Sequence, residues 1–255
     1  MTFIACRKEA PEDVINELKS IPNGTVNNAS QTTNPMIEEE FRINNQISSP
    51  FNYENFDSTI TKLVETGLPG SIPGSQKVIW HVFTSQSFYY DYGILKGRKA
   101  CECDKITERL AFLADSLNMD SIVNTTGVIP QFWTNLERKT SSNYLGNVAP
   151  RAIMTQINKN FKYQCGPSEN NSSIFTAPNA GIPNLWLLGW CDDPSGFYTI
   201  GFVGGVDMPF DRSWYRRKLI NIWSDGFDGY DFCNLTGVNW VLLNNKACSW
   251  WSGGI

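Results

Sequence analysis

Lys77-Val-Ile-Trp-His-Val-Phe83 is a run of β-branched and aromatic residues without glycine or proline, and it reads as a strand. Directly after it, Thr84 and Ser85 place hydroxyls at the strand end. Upstream, residues 22–58 are rich in Asn, Ser, Thr and Pro with little periodicity, which predicts a long surface excursion. Further back, Phe3-Ile-Ala-Cys6 is an apolar stub. Pro11-Glu12-Asp13 before Val14-Ile15 marks a helix start, because proline fits the first turn and the acids face the positive end of the helix dipole. Downstream, the apolar spacing from Thr107 to Leu117 fits a helix or a buried strand equally. Val148 to Ile157 holds spaced apolar residues after Gly146. The pieces alternate without a regular strand–helix repeat, so the expected class is α+β rather than doubly wound.

After about residue 165 the character changes. Seven of the nine tryptophans lie between Trp186 and Trp251, and short aromatic runs alternate with turn pairs such as Asp225-Gly226. This predicts antiparallel β structure. The polar stretch Gly166-Pro-Ser-Glu-Asn-Asn-Ser-Ser173 is a natural boundary. The expected organisation is a domain over residues 1–165 and an aromatic-rich, mostly β region over 166–255. Trp250-Trp251, beside Cys248 and close to the terminus, is the pair expected to be exposed.

With 255 residues and 41% hydrophobic content, the chain can bury a sizeable core. Its formal net charge is -4, and its longest basic run is Arg216-Arg217-Lys218, which disfavours a broad basic grip on duplex nucleic acid. No apolar run approaches the roughly 18 residues of a transmembrane segment. The seven cysteines are an odd number, and none sits in a Cys-x-x-Cys pair. Only one histidine, His81, is present, so a zinc site of Cys and His ligands is disfavoured; inside a strand it reads as structural. Buried thiols and two or three disulfides of a secreted protein both fit the cysteine pattern, and secretion is the expectation. Six Asn-x-Ser/Thr triplets occur, hardly more than chance in a chain so rich in these residues. The chain has no Gly-x-x-x-x-Gly-Lys phosphate loop and no Gly-x-Ser-x-Gly elbow.

Four short pieces then fall in a particular order. They are Phe3-Ile-Ala-Cys-Arg7 before Pro11-Glu-Asp-Val-Ile15; His81-Val-Phe-Thr84-Ser85; Asn135-Leu136-Glu137; and Val148-Ala-Pro-Arg-Ala-Ile153. This series resembles the enzymatic subunits of cholera- and pertussis-type toxins, the mono-ADP-ribosyltransferases, over roughly residues 3–157. In that family a strand arginine precedes Pro-Glu, a Ser-Thr-Ser strand follows, and a Glu/Gln-x-Glu pair comes next. Ala114-Asp-Ser-Leu-Asn-Met119 also looks like the segment before the family's glutamate loop. Here Arg7-Lys-Glu-Ala-Pro11 is shorter than the family's arginine segment, Phe83 replaces its first serine, and Asn135 replaces its first acid or glutamine. The resemblance implies a split β-sheet core, NAD as substrate, a protein acceptor or host target, and a binding subunit as possible partner.

The chemistry gives each residue a role under that resemblance. Cleaving the nicotinamide–ribose bond builds positive charge on the ribose, which a fixed carboxylate stabilises. Glu137 is the expected catalytic carboxylate, with Asn135 facing the nucleophile. Asn135 can hydrogen-bond an acceptor but cannot take its proton. Arg7 would hold NAD oxygens with its permanently charged fork, while Thr84 and Ser85 would aim the glutamate and line the nicotinamide side. The acceptor is open, and water would make the protein an NAD glycohydrolase. The alternative is a secreted adhesin that binds a carbohydrate or cell surface through its Trp-rich C-terminal region, since exposed rings stack on sugars or sit at membrane interfaces.

Overall fold

The computed structural model describes residues 36–57, 60–98, 100–146, 154–159, 172–176, 179–191, 194–200, 205–224, 228–231 and 246–254. Among them, the first strands are β1 (Ile37–Ile43), β2 (Gln46–Ile47), β3 (Thr61–Pro69) and β4 (Gln76–Phe83). Four helices follow: α1 (Gln86–Leu95), α2 (Ala100–Ser116), α3 (Met119–Thr126) and α4 (Gln131–Leu145). The rest is β structure: β5 (Met154–Lys159), β6 (Ser172–Phe175), β7 (Ala180–Ile182), β8 (Pro194–Ile200) and β9 (Gly205–Arg212). β10 (Arg216–Lys218), β11 (Asn221–Ser224), β12 (Asp228–Asp231) and β13 (Ser249–Gly254) complete the set. The class is α+β, with the helices gathered between two sets of strands.

The strands form a nine-stranded mixed sheet in the order β2-β1-β4-β3-β11-β9-β13-β7, with β10 paired to β9, and a four-stranded sheet in the order β12-β8-β5-β6. β1 runs parallel to β4 and β11 parallel to β3; the other pairs are antiparallel. β4 is the expected Lys77–Phe83 strand. It lies inside the sheet, and its side chains from Val78 to Phe83 are buried, which is why its sequence is apolar on both faces.

Period-two alternation divides β4 between two cores. Phe83 joins Leu63, Met208, Trp223 and Trp251 beneath the helices. Val78, Trp80 and Val82 join Val64, Ile222 and Trp250 on the other face, together with Ile157 of β5 from the smaller sheet. α2 supplies Cys103, Ile106, Leu110 and Ala114 to the first core. Their spacing of three and four is a helical stripe, which settles the Thr107–Leu117 ambiguity in favour of a helix.

Two expectations meet a different arrangement. Within the 22–58 excursion, Ile37–Ile43 is a strand. Ile37, Phe41 and Ile43 pack on the second core, while Glu38, Glu40 and Arg42 alternate with them. The division near residue 165 is crossed by the large sheet, because β11 pairs with β3 through Asn221↔Leu63 to Ser224↔Thr66.

The β9–β10 turn intrudes into the helical layer. Trp214 and Tyr215 take φ of 64° and 59°, a left-handed conformation unfavourable for bulky side chains. Both rings are buried, Trp214 against Trp133 at 5.0 Å between ring centres. Trp214 also donates its indole N–H to Asp120 at 2.7 Å. Ring burial and these bonds offset the backbone strain.

Candidate functional site

Thr84 and Ser85 occupy the end of β4. Thr84 is exposed and tied to Asn44, which donates from Nδ2 to Thr84 Oγ1 at 2.8 Å and accepts from the Thr84 N–H at 2.9 Å. This clasp joins the C-terminal ends of the parallel strands β1 and β4. Ser85 caps α1: its hydroxyl accepts from the Phe88 N–H at 3.4 Å and lies 2.9 Å from the Ser87 hydroxyl.

Glu137 lies elsewhere. It projects from α4, which packs on α2 and on β7. Asn135 is exposed on the same helix, and two residues turn a helix by roughly 200°, so it faces away from Glu137. Arg7 lies outside the described residues. Among the described residues the hydrogen-bond partners of Glu137 and of Thr84 and Ser85 are separate sets: Tyr215 for the first, Asn44, Phe88 and Ser87 for the others.

Glu137 itself is an unusual group, only 5% exposed. Burial pushes its carboxyl up to about 7, against the opposing help of the Tyr215 hydroxyl and the Trp133 indole. Tyr215 donates its hydroxyl to Glu137, and its own ionisation is pushed well up by burial and by the carboxyl beside it. Its burial follows the helix: Trp133, Glu137, Thr140, Ser141 and Leu145 are all buried at helical spacing.

A second buried carboxylate, Glu65, sits on β3 beneath α1. His81 Nε2 lies 3.1 Å from it, Lys96 Nζ donates to it at 3.2 Å, and Tyr92 donates its hydroxyl. Burial works against the anion, yet His81, Tyr92 and Lys96 outweigh it and hold Glu65 at about 2. Burial pushes His81 down despite the opposing pull of Glu65, and Lys96 lies on the second oxygen of the same carboxylate. His81 stacks on Phe83 at 5.5 Å and is fully buried. This network pins α1 to the sheet.

The tryptophans sort in the opposite sense to the expectation. Trp250 and Trp251 are 0% exposed, because β13 lies between β9 and β7 and sends its side chains alternately into both cores. Among the described residues the exposed indole is Trp186, at 66%, with Leu188 at 53% beside it. Both sit on the 3₁₀ turn Trp186–Leu188, between the buried anchors Leu185 and Trp190.

The turn is firmly held. Gly189, with φ of 68°, closes it by donating to the Trp186 carbonyl at 2.9 Å. The Trp190 N–H reaches the Leu185 carbonyl, and the Leu185 N–H reaches the Cys248 carbonyl, each at 2.9 Å. A disulfide between Cys191 and Cys248 binds the turn to β13. Sequence reasoning passed over Trp186; the available signal was an uncharged run ending at Gly189.

No family model, curated protein or solved structure matches the chain. Among the described residues, no helix is long and apolar enough to cross a membrane, and no group of three or more His, Cys, Asp or Glu side chains could hold a metal ion.

Proposed function

We propose that the chain is a secreted adhesin-type protein that contacts a cell surface through the Trp186–Leu188 turn. The observation that carries this reading is a 66% exposed tryptophan on a disulfide-stapled turn. A rigid turn loses little conformational freedom when it binds, and a tryptophan ring is among the strongest contact groups a surface can offer. The Cys191–Cys248 bridge fits an oxidising compartment. The test compares fluorescently labelled wild type with Trp186→Ala on intact cells, with melting temperature as the control for folding. Loss of cell binding at unchanged melting temperature supports the reading, and equal binding removes it.

A second reading is the NAD-cleaving transferase, favoured by one observation, the buried Glu137 carboxyl raised to about 7. On that reading the two sheets would be the split core of the transferase fold, and Glu137 would face the ribose of NAD. Against it stands the burial of Glu137, which is only 5% exposed. Its test is nicotinamide release from labelled NAD: release by wild type and none by Glu137→Ala supports it, and release by neither protein rejects it.

A further inference from the structure

We propose that the Trp186–Leu188 turn seats in the interfacial layer of a zwitterionic lipid bilayer. The inference rests on the reading of this turn as the cell-surface contact, and it names the chemistry of what is contacted.

Three observations lead to lipid rather than to sugar or protein. The first is composition. Asn179-Ala-Gly-Ile-Pro-Asn-Leu-Trp-Leu-Leu-Gly-Trp190 holds no ionisable side chain, and the two side chains that stand out from its turn are an indole and an aliphatic group. Indole rings favour the level of the headgroups, where the ring is shielded and its N–H stays wet, and an aliphatic neighbour reaches the acyl boundary.

The second is the hydrogen-bonding inventory. A saccharide needs polar partners for its hydroxyls, since unpaired polar groups are costly to cover. The Asn184 amide, directly before the turn, is buried, and its oxygen accepts from the Leu187 N–H at 3.4 Å. The N–H groups of Leu188, Gly189 and Trp190 are bonded within the turn at 2.9–3.0 Å. A lipid interface asks for none of these groups.

The third is size. A stable protein interface covers about 800 Å² on each partner. Two side chains on one stapled turn form a tip rather than a face, and a tip suits insertion. The choice of headgroup follows from charge. Asp192 and Asp193 follow the turn in sequence, and the chain carries a formal charge of -4, so anionic lipid would repel it.

The experiment is co-sedimentation of the full chain with phosphatidylcholine vesicles, with and without phosphatidylserine, for wild type, Trp186→Ala and Leu188→Gln. Cell binding of the same proteins is measured alongside. Wild type should bind phosphatidylcholine vesicles, serine lipid should not strengthen the binding, and Trp186→Ala should weaken it about ten-fold. Leu188→Gln, which leaves the ring in place, should weaken it by a smaller factor. Two results overturn the inference while leaving the cell-surface reading intact: no vesicle binding although Trp186→Ala abolishes cell binding, or vesicle binding only with anionic lipid. Vesicle binding unaltered in both variants overturns the assignment of this turn to lipid. Binding to neither vesicles nor cells removes the inference and the reading together.

Discussion

Replacing Glu137 by glutamine isolates the titration of one buried carboxyl. The carboxyl stands at about 7 in the folded chain against an ordinary value of 4.5. The difference is 7 − 4.5, about 2.5 pH units, or roughly 3 kcal/mol. The folded value is raised, so the stability linked to its protonation is complete below pH 4.5 and is lost as pH rises through 7. Glutamine has nearly the same shape, still accepts from Tyr215 and carries no charge at any pH. The stability of Glu137→Gln minus that of wild type should therefore climb by about 1.4 kcal/mol per pH unit between 4.5 and 7, then level off near 3 kcal/mol. Any constant cost of burying the amide shifts the whole curve without changing its slope. Urea denaturation followed by tryptophan fluorescence, at intervals from pH 4 to pH 9, measures it, because all other titrating groups cancel in the difference. A difference independent of pH would refute the reasoning. So would one of opposite sign, with wild type gaining on the variant as pH rises.

Three further outcomes are expected. Glu65→Gln should destabilise the chain by about 2 kcal/mol at pH 7, with Lys96 losing its counter-charge. Because Glu65 is lowered to about 2, that loss should shrink as pH falls from 4.5 towards 2 in the same urea assay. Replacing Cys191 and Cys248 together by serine opens a loop with a sequence separation of 57, which should lower stability by up to about 4 kcal/mol in thermal melts and weaken vesicle binding by loosening the turn. Asn221 is fully buried on β11 and, among the described residues, neither polar atom of its amide has a hydrogen-bond partner, so Asn221→Leu should be neutral or stabilising by about 1 kcal/mol; clear destabilisation in urea would show that the amide is satisfied.

The central strand was legible from its β-branched and aromatic run and the β-rich final third from its aromatic runs and turn pairs, while the α2 stripe was left between helix and strand until its burial showed the helical face. β1 was not, because Glu38-Glu39-Glu40 gives it the look of a solvated loop. Those acids have tertiary partners. Glu38 accepts from the N–H and hydroxyl of Ser71 at 2.9 and 2.6 Å, and Glu40 pairs with Arg42 and Lys77. Glu39 accepts from the Trp80 indole at 3.1 Å. Pairings of this kind depend on which strand lies alongside, and local sequence does not record that. The same limit explains Trp250 and Trp251, whose position near the terminus suggested exposure although β13 is inserted between two other strands.

The β9–β10 turn shows how the two buried features bear on each other. Placing Trp214 and Tyr215 in left-handed backbone costs roughly 1–2 kcal/mol per residue, so the turn persists only while its side chains stay anchored. The anchors come from three directions: Asp120 on α3, Glu137 on α4, and the Ser249 hydroxyl, which accepts from the Tyr215 N–H at 3.1 Å. The Trp214 N–H in turn holds the Pro183 carbonyl at the root of the exposed turn. Ionising Glu137 loads this turn with a buried charge, and the turn supports Trp186 through Pro183. Vesicle binding by wild type should then weaken as pH rises through 7, where the folded Glu137 carboxyl ionises, while Glu137→Gln keeps its pH 6 affinity at pH 8. An equal fall in both proteins would mean that the two features are energetically separate and that the Trp186 turn is held by the disulfide and β13 alone.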